Sequence, residues 1–256
     1  MNTRLALTQP RLTTDEPRPQ PFALEPGGTQ FLAVSGTLTD RLLVTYRSDA
    51  ARLRALVPAP FELDTYAGYG FLSVCAVEIT GMGLAGTPAW LRWQNREFLY
   101  RVGVRLHGAP TFITLKSEVS SPLLALLGRY FSHYRPRLCQ LELQRHAERF
   151  RLRAQAQDAV VEVDWAAPPP HTSVFANQAQ AADFLLGMKF SADVAGGRVR
   201  VQAIEHGPWQ PRFVHTSEAH FGFVEEVARS LGAHFELDNT LAVHDVPHVW
   251  KAAQWL

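Results

Sequence analysis

The most constraining feature of this sequence is a strict alternation over residues 96–106, which read REFLYRVGVRL. A period of two is the period of a β-strand, because successive side chains of a strand point to opposite faces. One set of alternate positions is apolar and consists of Phe98, Tyr100, Val102, Val104 and Leu106. The other set consists of Glu97, Leu99, Arg101, Gly103 and Arg105. The stretch is therefore predicted to be a strand with one face in a core and the other partly charged.

Other β-rich stretches follow at intervals of roughly ten residues. Residues 111–119 come after the turn HGAP and predict a hairpin, and residues 137–165 predict a meander of short strands. The clearest helix is predicted over 215–232, followed within 233–250 by two strands around a turn at Asp238-Asn239. Short strands at this spacing favour a mainly β (β-rich α+β) domain, such as a barrel, over a doubly wound sheet.

The first 28 residues differ in composition from the rest of the chain. They contain many proline, threonine and glutamine residues and lack the apolar region of a signal peptide, so residues 1–28 predict a flexible leader. Residues 29–256 are expected to form a single domain, because 46% hydrophobic residues allow a sizeable core. No apolar run approaches the roughly 20 residues of a membrane-spanning helix, and a cytoplasmic location is the expectation.

The charge balance argues against nucleic acid and membranes as partners. The chain has 25 basic and 24 acidic residues and a net charge of +1, which provides no field that would favour nucleic acid or an anionic membrane. The lysines are only Lys116, Lys189 and Lys251, so chemistry that needs an amine has few candidates. Cys75 and Cys139 lie in apolar, strand-like surroundings and are interpreted as buried reduced thiols.

Lys116 is one candidate catalytic residue. It lies two residues before Glu118 in a predicted strand, so the two side chains share a face. Inside a barrel the amine would be desolvated and its pKa would fall towards neutrality, as a Schiff-base lysine requires. The alternative is an exposed strand lysine that pairs with Glu118.

Glu97, Arg101 and Arg105 form a second candidate group, because they share the partly charged face of strand 96–106. If that face points into a barrel, the carboxylate and guanidinium groups line a polar cavity. If it points outwards, they form an ordinary solvated face. His206, in the segment EHGPWQPR at 205–212, either faces a pocket from a strand end or belongs to a structural turn.

Metal and nucleotide motifs are missing from the sequence. His244 and His248 are four residues apart, but Pro247 argues against a helix between them, and no HExxH occurs. The glycine-rich stretches at 68–73 and 81–86 lack the strand, GxGxxG and helix context of a dinucleotide site. We therefore expect no metal and no cofactor.

Four segments of the chain occur in a recognisable order. They are VPAPFELDTYAGYGFLSV, REFLYRVGVRLHGAPTFITLKSEVSS, LLGRYFSHYRPRLCQLEL and ADFLLGMKFSADVAGGRVRVQAIEHGPWQP. Together they resemble the YqjF-like family of uncharacterised proteins, which is related to acetoacetate decarboxylase. The resemblance implies a cone-shaped, mainly antiparallel β-barrel with peripheral helices that encloses a cavity. It covers about residues 40 to 250.

The resemblance also implies an altered catalytic site. Acetoacetate decarboxylases carry an adjacent lysine pair, of which one lysine forms the Schiff base. Aligned on Gly128-Arg129 and Leu138, this pair falls on Pro136 and Arg137, so the nucleophile is replaced by proline and a cation is kept. Taken together, the strand pattern and the resemblance give as candidate ligand-binding residues Arg101, Glu118, Arg129, Tyr134, Arg137 and His206, with Glu97 and Lys116 as catalytic candidates.

Three functions are compatible with these observations. The first is a barrel that binds a small anionic or carbonyl-bearing molecule without the classical lysine pair. The second is a lyase of the decarboxylase or aldolase type with Lys116 as a relocated Schiff-base nucleophile. The third is a non-enzymatic ligand carrier or scaffold. Because related decarboxylases assemble into oligomers, a homo-oligomer is expected.

Overall fold

A computed structural model describes residues 32–84, 86–128, 136–155, 159–169, 172–208 and 210–256. Its strands are β1 Val34–Asp49, β2 Glu62–Leu63, β3 Thr65–Tyr66, β4 Tyr69–Leu84, β5 Trp93–Leu106, β6 Ala109–Val119, β7 Arg137–Leu138, β8 Leu141–Arg145, β9 Arg149–Ala154, β10 Ala159–Asp164, β11 Phe190–Ala195, β12 Arg198–His206, β13 Arg212–Phe213, β14 His215–Phe221, β15 Glu236–Trp250 and β16 Gln254–Trp255. Its α-helices are α1 Ala50–Leu53, α2 Pro122–Leu127, α3 Gln178–Leu186 and α4 Gly222–Leu231, and two 3-10 turns span Arg54–Leu56 and Ala89–Leu91. The proposed leader, residues 1–28, lies outside the described residues.

Seven strands form a closed ring in the order β15, β1, β4, β5, β6, β11 and β12, and β12 pairs again with β15. Every pair in the ring is antiparallel except β6 with β11, which is parallel. Short strands β2, β3, β7, β13 and β16 extend this sheet. The predicted fold class, a strand-rich α+β domain built around a ring of strands, is confirmed.

A second sheet, in the order β14, β10, β9 and β8, covers the outer face of the ring. The apolar series of β5 points towards it: the Phe98 and Tyr100 rings lie 5.6 and 6.1 Å from the Phe221 ring at the end of β14. Phe98 and Tyr100 are almost completely buried there. Since burying one large apolar side chain contributes about 1.5–3 kcal/mol, this interface accounts for the apolar half of the alternation.

The inner face of the ring is closed at one end by α3. Leu185 and Leu186 of this helix are buried against the inward-facing side chains of β1 and β4. The segment before α3 is attached to β15 by the buried Asp238, whose carboxylate accepts hydrogen bonds from the Val174 amide at 3.0 Å and the Ser173 hydroxyl at 2.7 Å. These contacts place α3 over the ring.

Asp238 also explains an incorrect prediction. The two strands expected within 233–250 are one continuous strand, β15, and Asp238-Asn239 lies inside it. The polar pair reads as a turn, but here its side chains hold the segment before α3, since Ser173 donates to the Asp238 carboxylate and the Asn239 amide donates to Ser173. Polar residues inside a strand are stable when their hydrogen bonds are satisfied by a neighbouring segment.

The helix predicted over 215–232 is wrong in its first half. Residues His215–Phe221 form β14, which pairs with β10 and completes the second sheet. The helix begins at Gly222 and ends as expected at Gly232, whose φ of 56° lies in the left-handed region that favours glycine. The sheet position of residues 215–221 is decided by pairing with β10, which is distant in sequence. No helix among the described residues is long and apolar enough to cross a membrane.

Candidate functional site

The inside of the ring contains a cavity of about 70 Å³. Its walls are mainly apolar, with contributions from β1, β4, α3 and β15. The polar side chains that line it are Arg41, Cys75, Glu97, Arg101, His206 and His248. A mostly apolar cavity with a few converging polar groups is the usual form of a small-molecule site.

The pairing register of β1, β4 and β5 arranges the polar groups in rows. Residues directly opposite each other on neighbouring strands share a face. Arg41 is opposite Val77, which is opposite Glu97, so these three residues form the first row. The second row contains Leu43, Cys75 and Leu99, and the third contains Thr45, Ser73 and Arg101. The Cα atoms of Glu97 and Arg101 are therefore about 14 Å apart along β5, at roughly 3.4 Å per residue, so the two residues lie at different levels of the cavity.

Arg101 is a buried cation with an incomplete set of partners. Its side chain is 4% exposed, one terminal nitrogen donates to the Leu185 carbonyl at 2.8 Å, and its Cζ lies 4.8 Å from the centre of the Phe112 ring. Its Nε has no hydrogen-bond acceptor in the described part of the chain. Burial, and then the nearby Arg41 charge, lower the pKa of Arg101 to about 9, and no carboxylate contributes to this pKa. The group is still cationic at neutral pH.

Glu97 lies on the same face of β5 and is also buried. The Ser117 hydroxyl of β6 donates to its Oε1 at 2.7 Å. Ser117 is opposite Leu99 in the ladder, so it reaches the cavity from the neighbouring strand. This hydrogen bond fixes the carboxylate at the wall of the cavity, where it can accept or release a proton from a bound molecule.

Two stacked histidines form another part of the wall. The His206 and His248 rings lie 5.5 Å apart at an angle of 26°. His206 Nδ1 donates to the Gly207 carbonyl at 2.7 Å, and His248 Nδ1 donates to the Val246 carbonyl at 3.2 Å. Burial, and then the Arg41 charge, lower the pKa of His248 to about 3, and burial also lowers the pKa of His206. Both rings are therefore neutral at neutral pH.

The buried neutral His248 should make the protein sensitive to acid. Its folded pKa of about 3 is below the ordinary value of 6.5, so the unfolded chain takes up a proton first and stability falls as the pH drops below about 6.5. Below about pH 6.5, uptake of this one proton by the unfolded chain lowers the free energy of unfolding by about 1.4 kcal/mol per pH unit. The total loss is roughly 2–3 kcal/mol between about pH 7.5 and about pH 4.5. Over this pH interval, the free energy of unfolding measured in urea should fall by about 2 kcal/mol less for His248→Gln than for the wild type.

The exposed His234 provides the control for this measurement. We expect His234→Gln to show the same acid sensitivity as the wild type. An equal loss of unfolding free energy in the wild type and in His248→Gln would contradict the assignment of the acid sensitivity to His248.

Lys116 and Glu118 lie on the other face of β6. The Lys116 Nζ is 2.5 Å from the Glu118 Oε1, and it lies 5.2 Å from the Phe223 ring and 5.5 Å from the Tyr100 ring. Burial, and then the Glu118 charge, raise the pKa of Tyr100. The structure therefore places this pair between the ring and the second sheet, and does not bring it together with Glu97.

A β-bulge explains this placement. Tyr100 is opposite Lys116 while Arg101 is opposite Thr114, so Leu115 is an extra residue in β6. Uninterrupted alternation from Phe112, which lines the cavity, would have directed both Lys116 and Glu118 inwards. The extra residue moves both side chains to the outer face and brings Ser117 to the inner one.

Two further predicted residues, Arg105 and Arg137, are separate from the cavity. Arg137 is exposed in β7, next to Glu118 of β6, and Arg105 forms an ion pair of 2.9 Å with Asp64 near the end of β5. Arg129 and Tyr134 lie outside the described residues. Of the predicted residues, the structure brings together Glu97, Arg101 and His206.

Sequence reasoning missed three polar groups of the cavity: Arg41, Cys75 and His248. Cys75 is buried and free, as interpreted, but it faces the cavity. Arg41 belongs to a stretch of β1 with both faces covered, so no alternation marks its inward side chain. In the described part of the chain, no group of three or more histidine, cysteine, aspartate or glutamate residues is arranged to hold a metal ion.

Comparison with solved structures identifies the fold. Acetoacetate decarboxylase from Legionella pneumophila matches with a TM-score of 0.62 at 11% identity, covering 98% of each chain. An acetoacetate decarboxylase-like enzyme from Sphingomonas wittichii RW1 matches with a TM-score of 0.59 at 14% identity, over 89% of this chain and 93% of the other. The enduracididine biosynthesis enzyme MppR complexed with pyruvate matches with a TM-score of 0.57 at 13% identity, over 87% and 89%. The fold is that of acetoacetate decarboxylase.

The family assignment is more specific than the fold. The model of the DUF2071 family, described as an uncharacterized conserved protein, matches residues 35–244. The chain belongs to this family, which confirms the resemblance to YqjF-like proteins. No curated protein matches the sequence significantly.

Proposed function

We propose that this protein binds a small carboxylate that also carries a carbonyl group, inside the ring of strands. The observation that carries the proposal is Arg101, a buried cation with a free Nε and no carboxylate partner among the described residues. A buried charge without a counter-charge is unfavourable, and a ligand carboxylate would provide the counter-charge together with charge-assisted hydrogen bonds.

The size of the cavity supports a ligand of few atoms. At about 10–15 Å³ for each enclosed water, about 70 Å³ corresponds to roughly five to seven water molecules. A keto acid such as pyruvate has a comparable number of non-hydrogen atoms. The pyruvate complex of MppR, which shares the fold, agrees with a ligand of this class.

The groups away from Arg101 suit a carbonyl. Glu97 is held by Ser117 in the first row, and the neutral His206 and His248 rings line the same cavity. A carboxyl group or a neutral imidazole can exchange a proton with a carbonyl oxygen or with the carbon beside it. The ligand would then lie with its carboxylate at the third row and its carbonyl towards the first.

The two alternative functions have less support. A Schiff base on Lys116 would require its amine in the cavity, but this amine lies on the outer face beside Glu118. A carrier without polar recognition would leave Glu97 facing solvent, and Glu97 is instead buried in the cavity wall. A carboxylate-specific site is favoured over both.

Calorimetric titration with acids and matched neutral amides tests the proposal. We expect pyruvate to bind about 10- to 100-fold more tightly than pyruvamide, because a hydrogen bond to a charged group contributes about 1.5–3 kcal/mol. Acetoacetate and its methyl ester form a second pair. Equal affinity for the acid and the amide, or no binding by any of the four compounds, would overturn the proposal.

A further inference from the structure

Cys75 occupies the centre of the polar face inside the ring. In the second row it lies on β4, between β1 and β5. Arg41 lies on β1 in the first row, and Arg101 lies on β5 in the third row. The two arginines are therefore diagonal neighbours of Cys75 in opposite directions, so that each guanidinium can reach towards the sulfur from a different strand.

Direct contacts agree with this arrangement. The Arg41 Nε donates to the Cys75 Sγ at 3.2 Å. Burial and Arg41 lower the pKa of Arg101, whereas Cys75 raises it, as expected for a cation attracted to a sulfur that can carry negative charge. Cys75 is 6% exposed, and the surface that it retains faces the cavity.

Arg101 provides an independent indication of a ligand at the same place. Its side chain is more than nine-tenths buried, lines the cavity and retains an Nε without an acceptor in the described chain. A bound carboxylate at Arg101 would lie one row from the Cys75 sulfur. The thiol therefore faces the position where the rest of such a ligand would extend.

We infer that Cys75 is the nucleophile of this cavity and adds reversibly to the carbonyl carbon of a keto acid held by Arg101. In this step a sulfur–carbon bond forms, the π electrons of the carbonyl move to its oxygen, and the proton released by the thiol ends on that oxygen. The product is a hemithioketal, and no oxidant or reductant is consumed. Thiols and thiolates are the nucleophiles of cysteine chemistry, and the Arg41 Nε already donates a hydrogen bond to this sulfur. The inference rests on the proposed binding of a keto acid.

Alkylation with iodoacetate and iodoacetamide tests the inference. Ordinary thiols react faster with the neutral iodoacetamide, whereas a thiol between two guanidinium groups should select the anion. Cys139 is the internal control, because it is buried to the same degree but packs in the apolar core outside the cavity. We expect iodoacetate to label Cys75 at least about tenfold faster than Cys139, since the guanidinium groups beside Cys75 attract the anionic reagent into the cavity.

Peptide mass spectrometry of the native protein follows both cysteines. Arg101→Met should remove the preference of Cys75 for iodoacetate, and pyruvate should slow the labelling in the wild type. A Cys75 that reacts no faster than Cys139, or that prefers iodoacetamide as ordinary thiols do, would overturn the inference.

Carbon-13 NMR with pyruvate labelled at its carbonyl carbon separates the inference from the proposed function. A new, upfield carbon signal with wild-type protein that is missing with Cys75→Ser supports adduct formation. If pyruvate binds both proteins equally in calorimetry and gives no new signal, the assignment of Cys75 as the nucleophile is overturned, while the proposed binding site is retained. If pyruvate binds neither protein, the proposed function itself fails, and the inference fails with it.

Discussion

Replacing Arg101 with methionine should abolish carboxylate binding and leave the unliganded protein at least as stable as the wild type. The guanidinium is buried beside the Arg41 charge without a carboxylate partner among the described residues, so its removal relieves desolvation and repulsion. Methionine is unbranched and of similar length, and it can fill the space against Phe112. Replacing buried charges by apolar side chains is often neutral or stabilising by about 1–4 kcal/mol.

Two measurements separate binding from stability in this variant. The first is the melting temperature, which rises by roughly 2–4 °C for each kcal/mol of stability gained by a domain of this size. The second is calorimetry, which should show no heat of pyruvate binding. Arg105→Met is the matched control, because Arg105 lies on the same strand, is 42% exposed and pairs with Asp64 away from the cavity. Retained pyruvate binding by Arg101→Met would show that this side chain does not hold the ligand.

Replacing Lys116 with methionine should have the opposite profile, with a large loss of stability and intact ligand binding. Glu118 is 0% exposed, and the Lys116 ammonium lies 2.5 Å from its carboxylate. Removing one partner of a buried ion pair leaves an uncompensated charge and costs about 3–5 kcal/mol. The free energy of unfolding in urea should fall by this amount, while the protein that remains folded binds pyruvate as the wild type does.

The double variant Lys116→Met/Glu118→Gln tests the cause of this loss. It removes both charges, so it should recover most of the stability that the single variant loses. Borohydride reduction in the presence of pyruvate should give no adduct on Lys116. A Lys116→Met protein that is stable but fails to bind pyruvate, or a borohydride adduct on Lys116, would favour the lyase alternative.

The β5 strand shows how much of the fold could be predicted from the sequence. Its alternation correctly separates an apolar face, which contacts the second sheet, from the face that carries Glu97 and Arg101. Alternation is informative here because the two faces have different environments. The same reasoning cannot reveal Arg41, since most of β1 is covered on both faces and has no polar side to mark.

The positions of Lys116 and Glu118 could not be predicted for a different reason. Each residue was assigned correctly to a strand, and the two do share a face and form an ion pair. The direction of that face depends on the extra residue at Leu115, and sequence pattern alone does not reveal where a ladder accommodates an insertion. Likewise, the strand at His215–Phe221 depends on pairing with β10, a contact distant in sequence.

The extra residue at Leu115 also has a consequence for how such a cavity can change. If β6 kept Leu115 but paired with β5 without the bulge, Leu115 would lie opposite Tyr100 and Lys116 opposite Leu99. The ammonium and the Glu118 carboxylate would then face the cavity without any change in the identity of a side chain. The reactive groups available inside a ring of strands are therefore determined by the pairing register as much as by residue type. In a family that retains this scaffold, a shift of one residue in this register can add an amine to the groups that face the cavity.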